Sequence, residues 1–510
     1  MNVLIRGKYI ITDPEMEEKG IKYDAAVYIL DDKITEIGDY DLLKKKYPKA
    51  IVKGNGKQLV MPGLIDGHSH GAGLTPFQQG IPYDFLENFL IDKPKGIVLE
   101  PELNAIMCAI RHLRNGCTTL HHNNSGNDLD PEAVEKILRG YNKVGIRVAY
   151  SSGVRDLNTL TYDDVEFYKT LPSELQKLVK PIIFNDKKAF TEEYFKHFQY
   201  LYEKYNNENR KIIFGPLWVQ GSSDEFLRRI KSKADELGKI PIHIHTLQTP
   251  IQKAFGLQKY GKSLLAHLDD LGLVDENLVL GHAVFLNQSD IELLASKHGS
   301  ITHHASCNLA VRNGIAPVFF LHKAGVNVSL GIDDKGINDD EDPFMELRMI
   351  YYLHRIAGFH LVNSLPLNAF DVLKMGTINA AKVCNFTGVI GALKPGMKAD
   401  LLLIDLDHIM EDPWVYPQWN VVELFIHRGK GTDVNTVMVN GNIVIENRKF
   451  CNIDVSLVYD EVRKQAEKGI SPEQKVFAEN LQRIKPYCQS WYNRWFIPRL
   501  VPFYKMNSKI

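Results

Sequence analysis

Between residues 61 and 390 the chain returns eight times to one unit, a short apolar run followed by a helical or loop connection. The runs fall at 59–61 with a continuation at 64–66, then 117–122, 146–151, 211–220, 240–245, 278–281, 301–304 and 326–330. Strands joined by helix-length connections build parallel sheets, because a parallel neighbour needs a crossover that carries the chain back along the sheet. Eight such units predict an α/β fold, a (β/α)8 TIM barrel. Such a barrel usually takes about 250 residues, so this span predicts insertions, at 71–100 and 152–210.

The flanks read differently. Residues 3–12 and 25–30 are strand-like, and Asp31-Asp32-Lys33 turns the chain into 34–37. β character returns at 399–405 and at 437–445, where Asn440-Gly441 suits a type I′ hairpin turn. These pieces predict a small composite β-sandwich domain in two parts, 1–60 and 391–454, with the barrel (61–390) inserted between them. Residues 455–510 form a predicted helical C-terminal extension with an aromatic and basic end, without an acidic residue after Glu479. Trp491, Tyr492, Trp495, Phe496, Phe503 and Tyr504 are too apolar to leave in water and are expected to pack on the barrel or on a second subunit. Within the barrel, Ser222 with Glu225 and Ser289 with Glu292 read as capping boxes opening helices.

Composition narrows the function. A net charge of −1 gives no field to draw nucleic acid or an anionic membrane. No apolar run reaches membrane-spanning length, and the N-terminus alternates like a strand without the core of a signal peptide. Six cysteines without CxxC spacing argue against a disulfide framework and fit a reducing cytoplasm. A cytoplasmic enzyme with a small-molecule substrate is expected.

The polar residues at the strand ends carry the chemistry. PGLIDGHSH (62–70) ends the first strand, and alternation points His68 and His70 to one side, towards one metal ion. Strand 5 ends in His245, strand 6 in His282 and strand 8 in Asp333. The C-terminal ends of barrel strands hold the active sites of such folds. Imidazoles and a carboxylate around an open position suit a catalytic divalent metal, which acidifies its bound water. His243 shares a face with His245; the latter is preferred because it lies at the strand's end.

The chain resembles the amidohydrolase superfamily, in the metal-dependent branch of aminohydrolases, purine-type deaminases and triazine hydrolases. PGLIDGHSH is similar to the opening motif of that family, LGHAV (280–284) to its strand 6, ASCNLAVRNGIAPV (305–318) to its strand 7 and SLGIDD (329–334) to its strand 8. IGALKPGMKADLLLID (390–405) is similar to the segment that follows its barrel. The resemblance covers about 1–450. It implies that His68, His70, His245 and Asp333 bind one metal, zinc or alternatively iron, and that Asp333 and His282 are catalytic. No lysine lies in 216–220, where binuclear members place a carboxylated one, so one Zn2+ per subunit is expected. The implied reaction is hydrolysis of a C–N bond other than a peptide bond, by attack of metal-bound hydroxide on a small cyclic nitrogen-rich molecule, with deamination as the first choice. A homodimer is the expected assembly.

One departure matters. Deaminases of this branch follow strand 5 with His-x-x-Glu, and the glutamate shuttles a proton; here the text is His245-Thr246-Leu247-Gln248. An amide cannot shuttle a proton near neutral pH. Asp333 or His282 would do that work, with His304, Asp334 and His122 next in order. Alternatively the same site releases a different leaving group, a halide or alkylamine, or opens a cyclic amide. A scaffold without catalysis is the remaining alternative. Gln248, Gln220, Trp218, His304, Asn308, Gln78 and Phe77 are the candidate substrate contacts.

Overall fold

A computed structural model describes residues 2–495 except 126–128, 185 and 356–365. Phe496, Phe503 and Tyr504 of the aromatic tail lie outside the described residues. The chain opens with β1 (Asn2–Ile11), β2 (Ile21–Leu30), β3 (Lys33–Asp39), β4 (Ile51–Lys53) and β5 (Leu59–Pro62). The barrel strands follow: β6 (Leu64–Ser69), β7 (Cys117–Asn124), β8 (Arg147–Val154), the short pair β9 (Arg210–Ile212) and β10 (Gly215–Pro216), β11 (Ile242–Thr246), β12 (Leu278–His282), β13 (Ser300–His303) and β14 (Asn327–Leu330). Four more close the chain's β structure: β15 (Leu401–Ile404), β16 (Val434–Val439), β17 (Asn442–Glu446) and β18 (Lys449–Phe450).

The barrel strands pair in parallel in two arcs, β10-β8-β7-β6 with β9 beside β8, and β11-β12-β13-β14. Two parallel bridges, Phe214 to Ile242 and Trp218 to His245, join the arcs on one side. On the other, the Asp333 amide donates to His68 O at 3.0 Å. Gly67 makes that closure feasible: a Cβ there would sit 2.7 Å from Leu330 O and 2.5 Å from Ser329 Oγ. The arcs thus form one eight-membered (β/α)8 barrel. Its strands read as nearly continuous apolar text because helices cover them outside and side chains fill them inside.

The flanking strands form one nine-stranded sheet in the order β18-β17-β16-β15-β5-β1-β2-β3, with β4 beside β1. β15 pairs antiparallel with β5, so the two ends of the chain meet in this sheet. The sheet folds over its own apolar core, which includes Val3, Ile5, Val27, Ile29, Val60, Leu401, Leu403 and Met438. Asn440 and Gly441 both take positive φ (51° and 73°), as the hairpin turn requires.

Local expectations fail in instructive ways. The fourth stave is broken: a 3₁₀ turn, Val219–Gly221, replaces a strand continuing to Gln220. Ser222 closes that turn by donating its hydroxyl to Trp218 O at 2.9 Å. The cap of the next helix, Asp224–Glu236, therefore passes to Ser223, whose Oγ accepts from the Phe226 amide. Likewise Asn287 caps the helix Gln288–Ser296 and forms a reciprocal box with Asp290, two residues before the expected one. Asparagine is as good a cap as serine, and its side chain reached the free N–H groups first. The N-terminal part also holds a helix, Tyr40–Lys46, where only strands were expected.

The extension consists of the helices Val455–Glu467 and Pro472–Asn493. Its described aromatics lie against the barrel: Trp491 packs edge-on to Phe167, Tyr492 edge-on to Tyr162, and Trp495 stacks on Phe255 at 5.7 Å.

Candidate active site

His68 and His70 leave β6 on the same side because they are two residues apart in a strand. The carboxylate of Asp66, buried one turn of the pleat earlier, holds this strand end in place. Its Oδ1 accepts from the amides of His68 (3.1 Å) and Ile332 (2.9 Å), and its Oδ2 lies 3.0 Å from His112 Nε2. The neighbouring Asp334 accepts from Ser69 Oγ at 2.6 Å and from the His70 amide at 2.9 Å. The ends of β6 and β14 are thereby laced together through two carboxylates. Sequence reasoning gave Asp66 no role, although an acidic residue inside an apolar barrel strand is itself a signal.

Four of the expected residues converge. The ligand atoms of His68, His70 and His245 lie within 4.8 Å of one another. Asp333 Oδ1 stands 3.3 Å from His70 Nε2 and 3.7 Å from His68 Nε2. The rings are oriented by their other nitrogens: His70 Nδ1 lies 2.8 Å from Asn123 O and His245 Nδ1 2.6 Å from Leu217 O. A carbonyl can only accept, so each Nδ1 carries the proton and each Nε2 keeps a free lone pair. His68 Nδ1 meets His243 Nε2 at 2.8 Å, which puts His243 behind His68 rather than beside His245.

The donor set fits a divalent ion. His68 Nε2 and Asp333 Oδ1 are buried and have no hydrogen-bond partner among the described residues, although such atoms are normally satisfied. Three neutral imidazoles and one carboxylate match the ligands of a catalytic zinc or iron centre. Burial pushes His68 well below its ordinary pKa and His245 to about 3, and it lowers His70, so all three are neutral and able to ligate at pH 7. Burial alone would raise Asp333, but the Lys335 ammonium, and after it a hydrogen bond from His304, outweigh it and hold the carboxyl well below the usual range.

His282 stands on the opposite side of Asp333, with Nε2 3.7 Å from Oδ2. Its Nδ1 is 2.9 Å from Asn308 Oδ1 and 3.1 Å from His304 Nδ1. Cys307 donates its thiol to Asp333 Oδ2 at 2.8 Å. The backbone is strained here: His282 (φ 68°), Ala283 (53°), Asp333 (59°) and Asp334 (56°) all adopt left-handed conformations without being glycine. Such strain persists where the surrounding structure enforces it, commonly at functional sites.

The cluster forms the floor of a cavity of about 650 Å³. His70, His245, His282, Asp333, Trp218 and Gln248 all line it. The remaining candidate contacts lie elsewhere. His304 and Asn308 are buried behind His282, and Gln78 Oε1 is engaged by Arg111 and by the Thr75 amide. Gln220 is buried within the 3₁₀ turn, with neither side-chain polar atom hydrogen-bonded among the described residues. Phe77 is exposed. The cavity also exposes residues that sequence reasoning missed: Glu87, Lys93, Arg155 and Lys335. Glu87 Oε1 accepts from Thr249 Oγ1 (2.7 Å) and the Tyr162 hydroxyl (2.9 Å), and burial raises its pKa. It comes from the long 71–100 insertion, where no strand period marks a site.

Comparison with known proteins places this arrangement. The 5-methylthioadenosine/S-adenosylhomocysteine deaminase of Caldanaerobacter subterraneus subsp. tengcongensis is 29% identical over 482 residues, covering 93% of this chain and all of the relative. The 5′-deoxyadenosine deaminase of Methanosarcina barkeri is 28% identical over 477 residues, covering 92% and 99%. Among solved structures, an adenosine deaminase from Xanthomonas campestris with bound zinc superposes with a TM-score of 0.76 at 22% identity, covering 92% of this chain and 98% of that one. The atrazine chlorohydrolase TrzN from Arthrobacter aurescens, complexed with zinc, gives 0.75 at 20% identity, covering 91% and 99%. The amidohydrolase family model matches residues 59–444, and the chain belongs to the amidohydrolase family.

Proposed function

We propose that this amidohydrolase, a metal-dependent hydrolase of carbon–nitrogen bonds, is a mononuclear zinc enzyme that removes ammonia from the purine ring of an adenosine altered at its 5′ position. The observation that carries this reading is a pair of buried atoms without a hydrogen bond among the described residues, His68 Nε2 and Asp333 Oδ1, converging with His70 and His245 on the floor of a cavity. Those four residues would hold the ion. Zinc bound there would acidify a water molecule near neutral pH and polarise the carbon under attack. The names of the full-length relatives support the adenosine class.

The chain's own groups do the rest. Asp333 is held ionised and accepts the proton of the attacking water. His282, with Nε2 3.7 Å from Asp333 Oδ2, passes a proton on towards the departing nitrogen. Trp218 and Gln248 line the cavity and bind the ring. The carbon–nitrogen bond breaks, the water oxygen stays on the carbon, and ammonia leaves with the transferred proton. A cytoplasmic homodimer belongs to the same proposal, and sedimentation would test the subunit count.

The test is ammonia release by the zinc-loaded protein from 5′-deoxyadenosine, 5′-methylthioadenosine, S-adenosylhomocysteine and adenosine. Release from at least one, lost in His70→Ala, is expected; protein with one zinc per chain that releases ammonia from none would overturn the reading. Gln248 favours one second reading, the same site expelling a group that needs less proton help. Chloride or alkylamine release from substituted triazines, without ammonia from any nucleoside, would establish it instead.

A further inference from the structure

We propose that the C-terminal helix, Pro472–Asn493, is part of the substrate site, and that Phe477, Leu481 and Tyr492 set the size of the group the substrate carries away from its reacting carbon. This rests on the deaminase reading for the substrate but not for the wall itself. The helix lies beyond residue 444, where the family match ends, and supplies nothing to the metal cluster. Yet Gln474, Phe477, Leu481 and Tyr492 line the same cavity as His70, His245 and Asp333.

A run of contacts links the two ends. Trp218 is bridged through its backbone to His245. Its ring lies 6.2 Å from that of Tyr162, edge-on, and Tyr162 lies 5.3 Å from Tyr492, again edge-on. The hydroxyl of Tyr162 is fixed by donation to Glu87 at 2.9 Å. Tyr492 therefore stands at the far end of a line of aromatic side chains that begins beside a metal ligand.

The helix also grips the segment that roofs the cavity. Lys485 Nζ lies 2.6 Å from Asp92 Oδ2, and Gln482 Nε2 donates to the same carboxylate at 3.0 Å. Gln474 Nε2 donates to the carbonyls of Pro94 (2.9 Å) and Gly96 (2.6 Å), and Gln489 Nε2 to Asn88 Oδ1 (3.0 Å). Residues 482, 485 and 489 fall on one stripe of the helix and 477, 481 and 488 on the next, with 474 and 492 on the line between them. One stripe holds the roof while the other presents apolar surface. Ile97, Val98, Leu160 and Ile182 line the cavity as well. An alkyl or alkylthio substituent fits such surroundings, and its length is limited by how far Phe477 and Leu481 protrude.

The experiment uses the full-length zinc-loaded enzyme and a ladder of 5′-alkylthioadenosines from methyl to hexyl. In Phe477→Ala and Leu481→Ala the ratio of kcat/KM for hexyl to that for methyl should rise about tenfold, the discrimination an apolar pocket obtains from a methylene or two. Leu481→Trp should lower that ratio, which guards against reading mere loosening as specificity. Ratios within twofold of the parent in all three variants would overturn the proposal. If no member of the ladder loses ammonia, the substrate reading fails and the wall is judged by metal access. 1,10-Phenanthroline should then extract zinc at least threefold faster from Phe477→Ala and Leu481→Ala than from the parent; equal rates would overturn the wall too.

Discussion

Gln248 lies just beyond β11, lines the cavity, and donates its backbone N–H to Gln252 Oε1 at 2.8 Å. Its amide has the size of the glutamate expected there but not its acidity, so the substitution changes proton supply while leaving the local geometry intact. Gln248→Glu is therefore expected to raise kcat for ammonia release, by up to about 10²-fold, the lower end of what a positioned acid–base contributes. It should also introduce a new limb in the pH–rate profile. If kcat falls instead, the contact of the Gln248 amide with the ring outweighs any proton supply added to that of His282 and Asp333. Asn308 tests the proton route through His282, because it orients that ring from behind without touching the cavity. Asn308→Ala should lower kcat roughly 10- to 100-fold, the usual cost of losing an orienting partner, with a smaller change in KM. An equal effect on KM would make Asn308 a structural support of the pocket only.

At the scale of elements, the helices after β13 and β14 are tied by a buried carboxylate. Glu346, in the helix Pro343–Leu353, accepts from the Ser306 amide at 3.1 Å and from the Ser306 hydroxyl. Burial pushes its pKa up to about 8; Glu341 is raised to about 7 and Asp342 to about 6 for the same first reason. A carboxyl whose folded pKa exceeds its unfolded value of about 4.3 holds a proton that the unfolded chain has released. Its contribution is complete below that unfolded pKa and is lost as pH rises to about 8. The melting temperature should fall across that window, and Glu346→Gln should flatten the fall; an unchanged slope would mean that Glu346 is ionised when folded. These ties explain what the sequence could and could not reveal. His68, His70, His245, His282 and Asp333 are legible because strand period and strand ends are local properties. Asp66 and Glu87 are not, since each acquires its role from partners far away in the chain, and Lys335, paired with Asp333 two residues before it, lies in a loop beyond the strand where no period marks it. The caps at Ser223 and Asn287 missed by one and two residues because competing side chains with the same chemistry lay within reach.

At the scale of the whole molecule, the barrel and the flanking sheet are locked by a buried ion pair. Arg147, the first residue of β8, meets Asp400, just before β15, with Nε–Oδ1 at 3.1 Å and an Nη–Oδ2 contact at 2.9 Å. The guanidinium also donates to Glu208 O and Asn209 Oδ1, and Asp400 Oδ2 accepts from the Asn440 amide. Both side chains are almost wholly buried. Sequence order alone could show that strands at the two ends belong together, but not that a barrel arginine would pin them. Removing one partner leaves the other charged and unpaired in a dry interface, which costs about 3–5 kcal/mol. Arg147→Met should therefore lower unfolding free energy in urea by about that amount. Because Asp400 lies on the sheet side, the loss should fall on the junction between the two bodies, and the transition should split into two. The double variant Arg147→Met with Asp400→Leu removes both charges and should recover a large part of the loss, since their interaction is not additive. A single variant as stable as the parent, or a double variant no better than the single one, would show that the sheet is held to the barrel by apolar packing and that the ion pair is incidental.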